Sequence, residues 1–406
     1  MSQDVLKARI MTVMRNLPPM PQVTQKLLAV IRDEDSSAND VTKVLSSDQA
    51  LAGKVLKLVN SSFYGVPQEI KTISRAVVML GFTGVRNLAL GFGSVEALGK
   101  MTKDLDMKGF WNHAMANAVA AQSLAPYMNR RTDPEEAFIA GLMHDIGAYV
   151  LASAVPDTYK DIMGRVNENQ LQLENEATGF THVQVGQGLI QFWGLPESFA
   201  NAARYHHDFS VLNDEDQALT ALVALADVLA CINCGGFETP ASEEDLGKLI
   251  SVTGITNEQI KSTLLEMDQK MEDMSSFMSI SGVSSQKDLT CGAVAKKVSC
   301  VVSTEVARRE WVQTLLQYFG HELFPMDTYF NQGPGCGNVE LVLLDPQCLT
   351  AQQLDRLLKY LSTQSAQVAI LHDQGSVMAD AVKSFPTLKF VFSRQDLAEV
   401  LAAQTV

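Results

Sequence analysis

Residues 134–147 read PEEAFIAGLMHDIG, and this stretch decides how the central part of the chain folds. Pro134 opens a helix, and two acids follow it in the first turn, where free amide groups and the helix dipole favour negative charge. The apolar run that follows predicts a helix from Ala137 to His144 that ends at Gly147. Neighbouring side chains lie about 100° apart around a helix, so His144 and Asp145 can both lean toward one bound ion.

Five of the seven histidines fall between positions 113 and 207, with Asp145 directly after one of them and Asp227 on a later helical segment. Imidazole nitrogens and carboxylate oxygens suit borderline divalent metals such as iron, manganese, nickel or zinc. Two interpretations stay open: the chain binds a metal there and hydrolyses a substrate, or it keeps the outline of such a site for another use. A single helical histidine is more often a hydrogen-bonded core residue than a ligand. The predicted metal ligands are His113, His144, Asp145, His182, His206, His207 and Asp227.

The composition is that of a globular protein that does not bind nucleic acid. Its 406 residues, 46% of them apolar and 19% charged, predict roughly two to three domains. Thirty-two basic residues against 46 acidic ones give a net charge of −14, which repels phosphate backbones. No uninterrupted run of 18 apolar residues occurs, and the first residues carry charges and prolines in place of an apolar signal core. We therefore expect a cytoplasmic protein without nucleic-acid or membrane partners.

The six cysteines are scattered over the second half of the chain, which fits a reducing compartment. Cys231 and Cys234 form a C-x-x-C, but a tetrahedral zinc site would need a second pair at matching spacing, and the sequence has none. We interpret these two residues as half-buried thiols on a helix.

Apolar residues three and four apart predict helices from the start of the chain to about Met274. We place an N-terminal helical subdomain at 1–100 and a second one, which carries the histidines, at 101–274. Residues 275–296 are rich in serine and glycine and predict a linker.

The pattern changes in the last part of the chain, at 297–406. Strands that alternate with helices of about 10 to 15 residues are typical of a parallel sheet. This part therefore predicts a small α/β domain of the flavodoxin-like type. The predicted strands are Val298–Val302, Val339–Leu344, Gln367–Leu371 and Lys389–Phe392, and the predicted helices are Glu305–Phe319 and Ala351–Leu361.

The order of the histidines and aspartates resembles two groups of metal-dependent enzymes. His113, the pair His144–Asp145, and then Asp227 resemble the metal-binding signature of HD-domain phosphohydrolases. The remaining histidines are similar to the extra ligands of the HD-GYP branch, which hydrolyses cyclic dinucleotides. The resemblance implies one ion held by the first four residues and a second ion completed by His182, His206 and His207.

A fuller resemblance is to the HDOD family, the HD-related output domain, over roughly residues 15 to 230. It implies an all-helical HD-like module, and the family is generally regarded as lacking demonstrated hydrolase activity. The segments that carry the resemblance are Leu17–Pro21, Asp48–Ala52, Leu58–Gly65, Ala76–Gly81, Phe110–His113 and Trp193–Pro196.

Two departures from the HD-GYP enzymes argue against catalysis. Ala148 stands where those enzymes carry a lysine, so a charge-assisted hydrogen bond to substrate phosphate, typically worth about 1.5 to 3 kcal/mol, is missing. After His207 the chain continues with DFSVLN at 208–213 and lacks their Gly-Tyr-Pro loop. Arg204 is the basic residue that we nominate for contact with a substrate.

Asp345 follows an apolar strand and resembles the phospho-acceptor of a response-regulator receiver domain. Ser303 and Thr304 stand where a receiver has two magnesium-binding acids, and Ser393–Arg394 stand where it has a lysine. Without those acids we do not expect phosphorylation of Asp345. We expect a degenerate receiver used for docking or dimerisation, in which this aspartate caps the following turn.

Together these observations predict a bacterial-type cytoplasmic signal-transduction protein. Its helical module acts as a regulatory output through contacts with signalling proteins or with a second copy of the chain as a homodimer, and without hydrolase activity. The alternative is a metal-dependent phosphohydrolase that cleaves cyclic dinucleotides or other phosphodiesters at the histidine–aspartate site.

Overall fold

A computed structural model describes most of the chain. The described residues are 3–17, 19–32, 37–61, 64–99, 108–130, 132–165, 169–212, 217–234, 241–280, 297–303, 306–325, 339–349, 354, 357–358, 367–372, 386–389, 392 and 396–397.

Helices fill the chain from Gln3 to Ile280. The first group is α1 (Gln3–Arg15), α2 (Gln22–Arg32), α3 (Ala38–Ser46), α4 (Gln49–Val59) and α5 (Ile73–Gly99). The second group is α6 (Lys108–Leu124), α7 (Pro134–Met143), α8 (Ile146–Ala154), α9 (Pro156–Met163), α10 (Gln170–Thr178), α11 (His182–Phe192), α12 (Glu197–Tyr205), α13 (Ala218–Cys234), α14 (Glu243–Thr253) and α15 (Asn257–Ile280).

The core of the second group is built around α7 and α8. Every residue of α7 from Ala137 onward is buried, and so is every residue of α8 except Ser153. On either side, α6 packs against α7 and α13, while α8 packs against α11. Among the described residues, Pro134–Ala154 is long and apolar enough to cross a membrane, but 94% of its most apolar stretch is buried inside the protein. The bent helix α5 also meets the length and composition test if its two halves are counted as one span.

The two predicted helical subdomains contact each other. Helix α5 packs against α7, and the hydroxyl of Tyr64 donates a 2.8 Å hydrogen bond to Glu135 at the start of α7. Within α5 the chain bends at Gly81, whose φ of 77° is a backbone conformation that glycine adopts readily. The boundary predicted near residue 100 falls on residues 100–107, which lie outside the described residues.

The last helix of this part is longer than the sequence analysis predicted. Helix α15 continues to Ile280, beyond the predicted end at Met274. Met271, Met274 and Met278 continue the helical spacing, and the intervening serines are tolerated inside a helix. The rest of the predicted linker, 281–296, lies outside the described residues.

The chain ends in a parallel α/β sheet, as predicted. Its elements are β1 (Val298–Val302), α16 (Val306–Tyr318), β2 (Glu322–Leu323), β3 (Leu341–Leu344), β4 (Gln367–His372) and β5 (Thr387–Lys389). The strand order is β2-β1-β3-β4-β5 with all neighbours parallel, which is the flavodoxin-like order.

Strand β3 begins two residues later than predicted and β4 ends one residue later, while two other strands differ more. We did not predict β2, because two residues, one of them a glutamate, give no alternating or apolar run. The predicted strand Lys389–Phe392 begins earlier, at Thr387, where Leu388 pairs with Leu371. Most of the predicted helix Ala351–Leu361 lies outside the described residues, which there include 354 and 357–358, all leucines.

The helical part and the α/β part contact each other through α13, α15 and α16. The amide of Asn233, near the end of α13, donates to the Tyr318 hydroxyl at 2.9 Å and to Asp268 of α15 at 2.8 Å. The Tyr318 hydroxyl in turn donates to Asp268 at 2.9 Å. These three side chains join the end of α13 to the last residue of α16.

Candidate metal centre

The histidine–aspartate pair of PEEAFIAGLMHDIG lies in a turn between two helices rather than inside one. Asp133 caps α7 by accepting hydrogen bonds from the backbone amides of Glu135 (2.8 Å) and Glu136 (3.1 Å). The helix that was predicted to run through His144 and end at Gly147 ends at Met143. A second helix, α8, begins at Ile146, and Gly147 lies inside it. The apolar residues on both sides of His144 and Asp145 hid this turn, because both helices are buried on nearly every side and show no polar face.

Gly147 sets the distance between α8 and α11. A Cβ atom added to it would lie 1.9 Å from the carbonyl oxygen of His182 and 2.5 Å from the amide nitrogen of Gly186. Only a residue without a side chain permits this contact between the two helix backbones. The close approach brings His182, the first residue of α11, beside Asp145.

The other ligand candidates come from three further elements. His113 lies on α6, Asp227 lies on α13, and His206 and His207 directly follow α12. The structure brings all seven predicted residues together, in groups whose donor atoms lie within 4.8 Å of one another: Asp145 with His182, His206 and His207; His113 with His144 and Asp145; and His113 with Asp227.

Asp145 lies at the middle of this arrangement. Its Oδ2 atom is 3.3 Å from His144 Nε2 and 3.8 Å from His113 Nε2. Its Oδ1 atom is 3.3 Å from His206 Nε2 and 3.5 Å from His182 Nε2. One carboxylate therefore faces two separate groups of histidines, one with each oxygen.

Asp227 completes the first of these groups. Its Oδ1 atom is 2.8 Å from His113 Nε2 and 3.4 Å from His144 Nε2. His207 completes the second group, with its ring centroid 4.0 Å from that of His206. We call the first group site one (His113, His144, Asp145 and Asp227) and the second site two (Asp145, His182, His206 and His207).

Most of the centre is buried. Six of the seven side chains belong to residues that are at most 7% exposed, and His207 is half-buried. Burying two aspartates beside several histidines is unfavourable unless charges and hydrogen bonds compensate.

Hydrogen bonds behind the rings fix which nitrogen faces the centre. His144 Nδ1 donates to the Gly141 carbonyl at 2.7 Å, and His206 Nδ1 donates to the Ala203 carbonyl at 3.1 Å. Because a carbonyl oxygen only accepts, Nδ1 carries a proton in both rings, and Nε2 is the nitrogen that faces the centre and could bind an ion. Metal-binding histidines are oriented in this way.

Glu174 does the same for His182. Its Oε2 atom accepts hydrogen bonds from His182 Nδ1 at 2.9 Å and from the His182 backbone amide at 2.7 Å. The carboxylate is fully buried and also accepts from the Tyr159 hydroxyl at 2.7 Å. The sequence analysis missed this residue, since a glutamate eight residues before a histidine carries no recognisable signal.

The charges of the centre stabilise one another. Burial alone would raise the pKa of Asp145 and of Asp227, but the surrounding histidines hold both well below the usual range. Burial alone would lower the pKa of His144, but Asp145 and Asp227 raise it to about 9. Burial and the neighbouring His207 instead lower the pKa of His206 to about 4, so that ring is neutral near pH 7.

The donor set fits a divalent metal. His144 Nε2, His206 Nε2 and Asp145 Oδ1 are buried and make no hydrogen bond within the described part of the chain. A buried polar atom without a partner costs about 1 to 3 kcal/mol, and binding a metal ion would satisfy all three. The buried cluster can therefore hold a metal.

Cys231 lies next to this centre, which the sequence analysis did not expect. We interpreted it as a half-buried thiol, but it is only 6% exposed, and its sulfur lies within 4.8 Å of donor atoms of His113 and Asp227. It is one turn after Asp227 on α13, a spacing that could have drawn attention to it once Asp227 was a candidate ligand.

The residues considered for substrate binding do not supply a free cation at the centre. Ala148 is buried in α8. Arg204 lies over the ring of its neighbour Tyr205, with the guanidinium carbon 5.2 Å from the ring centroid.

Asp345 of the α/β part is fully buried and bound by protein groups. Its Oδ2 atom accepts from Arg308 Nη1 at 2.6 Å and from the Ser303 hydroxyl at 3.0 Å. Its Oδ1 atom accepts from the Gln347 amide at 3.1 Å, which confirms that this aspartate caps the following turn. A guanidinium group thus pairs with the carboxylate that phosphorylation would modify.

Comparisons with known proteins agree with this architecture. A family model described as HDOD domain matches residues 17–209. An uncharacterised protein of Treponema pallidum (strain Nichols) is 30% identical over 257 residues, which are 63% of this chain and 49% of the relative. The chain therefore spans about half the length of that curated relative.

Two solved structures share the helical fold. An HDOD domain protein of unknown function from Geobacter sulfurreducens superposes with a TM-score of 0.54 at 24% identity, over 67% of this chain and 98% of that one. A candidate signal transduction protein from Marinobacter aquaeolei VT8 superposes with a TM-score of 0.54 at 23% identity, over 70% of this chain and 66% of that one. At these identities the likeness shows the fold alone.

Proposed function

Since this chain carries an HDOD domain at residues 17–209, we propose that it is a signal-transduction protein whose helical module acts through protein contacts rather than through hydrolysis. The observation that carries this proposal is the burial of the centre. The predicted ligands lie around Asp145, yet six of the seven residues are at most 7% exposed.

We further propose that the centre holds divalent metal. Site one would bind one ion, site two would bind a second, and Asp145 would belong to both. The donor chemistry fits iron, manganese, nickel or zinc. Because the ligands come from α6, α11, α13 and the segments that follow α7 and α12, binding would hold these elements in one arrangement. Its free energy would add to the stability of the folded module.

In this proposal the arrangement of the helical module is what partner proteins recognise. The expected partners are other signalling proteins, and the α/β part, as a degenerate receiver, supplies docking or a homodimer contact. The internal pairing of Asp345 with Arg308 supports a role without phosphoryl transfer. The net charge of −14 supports protein partners over nucleic acid, and we place the protein in the cytoplasm.

The alternative function is a metal-dependent phosphohydrolase. What favours it is the full ligand series, in which Asp145 faces two groups of histidines, as two neighbouring ions would require. A bound ion would supply Lewis-acid chemistry for cleavage of a phosphodiester. Against it stand the burial of the ligands, the uncharged Ala148, and the engagement of Arg204 with Tyr205.

Metal analysis combined with turnover measurements tests these functions. Protein purified without added metal or affinity tags is analysed for metal content and assayed on cyclic dinucleotides and on a simple phosphodiester. We expect bound metal and no turnover. His144→Ala should lose metal, whereas the control His321→Ala, which removes a buried histidine of the α/β part, should keep it.

Stoichiometric metal together with turnover that His144→Ala abolishes would overturn the proposal in favour of the hydrolase. A protein that binds no metal under any loading condition would remove the metal centre and leave only the signalling assignment.

A further inference from the structure

We infer that Cys231 is a sulfur ligand of the ion in site one, an inference that rests on the proposed metal centre. Neither the metal-binding signature used above nor the seven predicted ligands include a thiol. A thiol ligand would change which metal site one binds most tightly.

The position of Cys231 on α13 places it beside two of the predicted donors. Residues four apart lie on the same face of a helix, so Cys231 and Asp227 face the same direction. The thiol sulfur, an Asp227 oxygen and a His113 nitrogen all lie within 4.8 Å of one another. Donors around a tetrahedral zinc ion with bonds of about 2.0 to 2.3 Å are separated by about 3.3 to 3.8 Å, so these three donors can reach a common ion with small side-chain movements.

The surroundings of Cys231 favour a role as a metal ligand over a role as an apolar core residue. A small buried thiol far from polar groups would pack as an apolar residue. Cys231 is instead buried against a histidine and a carboxylate that lie 2.8 Å from each other. A divalent ion at this point deprotonates a coordinating thiol outright, so the sulfur binds as thiolate and one proton is released on loading.

A thiolate in site one has consequences for selectivity. Soft sulfur ligands favour zinc or iron over manganese, which prefers oxygen donors. A third anion beside Asp145 and Asp227 also neutralises more of the charge of the ion and weakens it as a Lewis acid. Both effects agree with a centre that serves structure and regulation.

X-ray absorption of the zinc-loaded, full-length protein tests this inference. We expect a sulfur neighbour at about 2.3 Å in addition to nitrogen and oxygen neighbours at about 2.0 to 2.2 Å. The cobalt-loaded protein should show a thiolate-to-cobalt charge-transfer band in the near ultraviolet. Cys231→Ser should lose both signals while site two still binds metal.

Cys234→Ser is the matched control, because it removes the other thiol of the C-x-x-C motif, one turn further along α13, and should keep both signals. The wild-type spectra alone decide whether sulfur is bound, so a variant that fails to fold leaves the answer intact. Bound zinc with only nitrogen and oxygen neighbours, or a sulfur signal that persists in Cys231→Ser, overturns the inference and leaves the metal centre in place. A wild-type protein that binds no zinc overturns both.

Discussion

Glu174→Gln should weaken metal binding at site two and leave site one unchanged. The carboxylate accepts two of its hydrogen bonds from His182, through the backbone amide at 2.7 Å and through Nδ1 at 2.9 Å. A glutamine keeps the shape of the side chain but removes the negative charge that orients the ring and makes Nε2 a stronger donor to metal. Changes in such supporting residues typically cost about 10- to 100-fold in affinity, or roughly 1.4 to 2.7 kcal/mol.

The assay is a competition titration of the metal-free protein with zinc and a coloured chelator, which resolves the two binding steps. Glu176→Gln is the matched control, since it makes the same change on the exposed face of the same helix and should bind both ions like the wild type. Thermal unfolding of the metal-free variants shows whether each is folded. Unchanged affinity in Glu174→Gln, or an equal loss at both sites, would refute the view that Glu174 acts through His182.

Three further predictions concern pH, packing and phosphorylation. Burial raises the pKa of Glu135 from 4.5 to about 7, so the folded state holds this proton more tightly and stability should fall as pH rises from about 4.5 to 7. In urea unfolding, Glu135→Gln should reduce this pH-dependent fall in the free energy of unfolding by about 1 to 3 kcal/mol. An unchanged dependence of that free energy on pH would contradict the assignment to Glu135. Gly147→Ala should destabilise the protein by about 3 kcal/mol or more, because the new Cβ would lie 1.9 Å from the His182 carbonyl oxygen. Gly247→Ala is the control: no atom lies within 4 Å of the new Cβ, so this variant should raise the melting temperature. Equal effects of the two substitutions would show that the packing argument is wrong. Incubation with acetyl phosphate and magnesium should give no phosphoryl adduct on Asp345 by mass spectrometry, since Arg308 occupies its oxygen, and an adduct would disprove this.

Much of the fold could be predicted because local patterns report it directly. The β-branched runs near Val298 and Gln367 predicted parallel strands, and the sheet contains both. The turn at His144–Asp145 could not be predicted in the same way. Apart from His144 and Asp145 themselves, residues 137–152 are apolar or glycine, and the spacing of apolar residues cannot locate a bend when nearly every face of both helices is buried.

The candidate site was predictable only as far as residue type and order carry information. The histidines and aspartates are unusual in a helical chain, and the structure brings the seven together. Glu174 and Cys231 were missed for a physical reason. Their roles depend on which helix faces are packed against each other, and a buried glutamate or cysteine looks the same in sequence whether or not it adjoins a ligand.

Helix α13 carries Asp227 in its middle and Asn233 near its end, where the latter bonds to Tyr318 of the α/β part. Six residues at 1.5 Å each separate these two positions by about 9 Å, a span over which a helix moves nearly as one body. If an ion holds α13 more tightly in one orientation of the C-terminal part, reciprocity requires that orientation to tighten the ion by the same factor. Metal occupancy at one end of α13 and the orientation of the α/β part at the other would then be coupled in a single equilibrium.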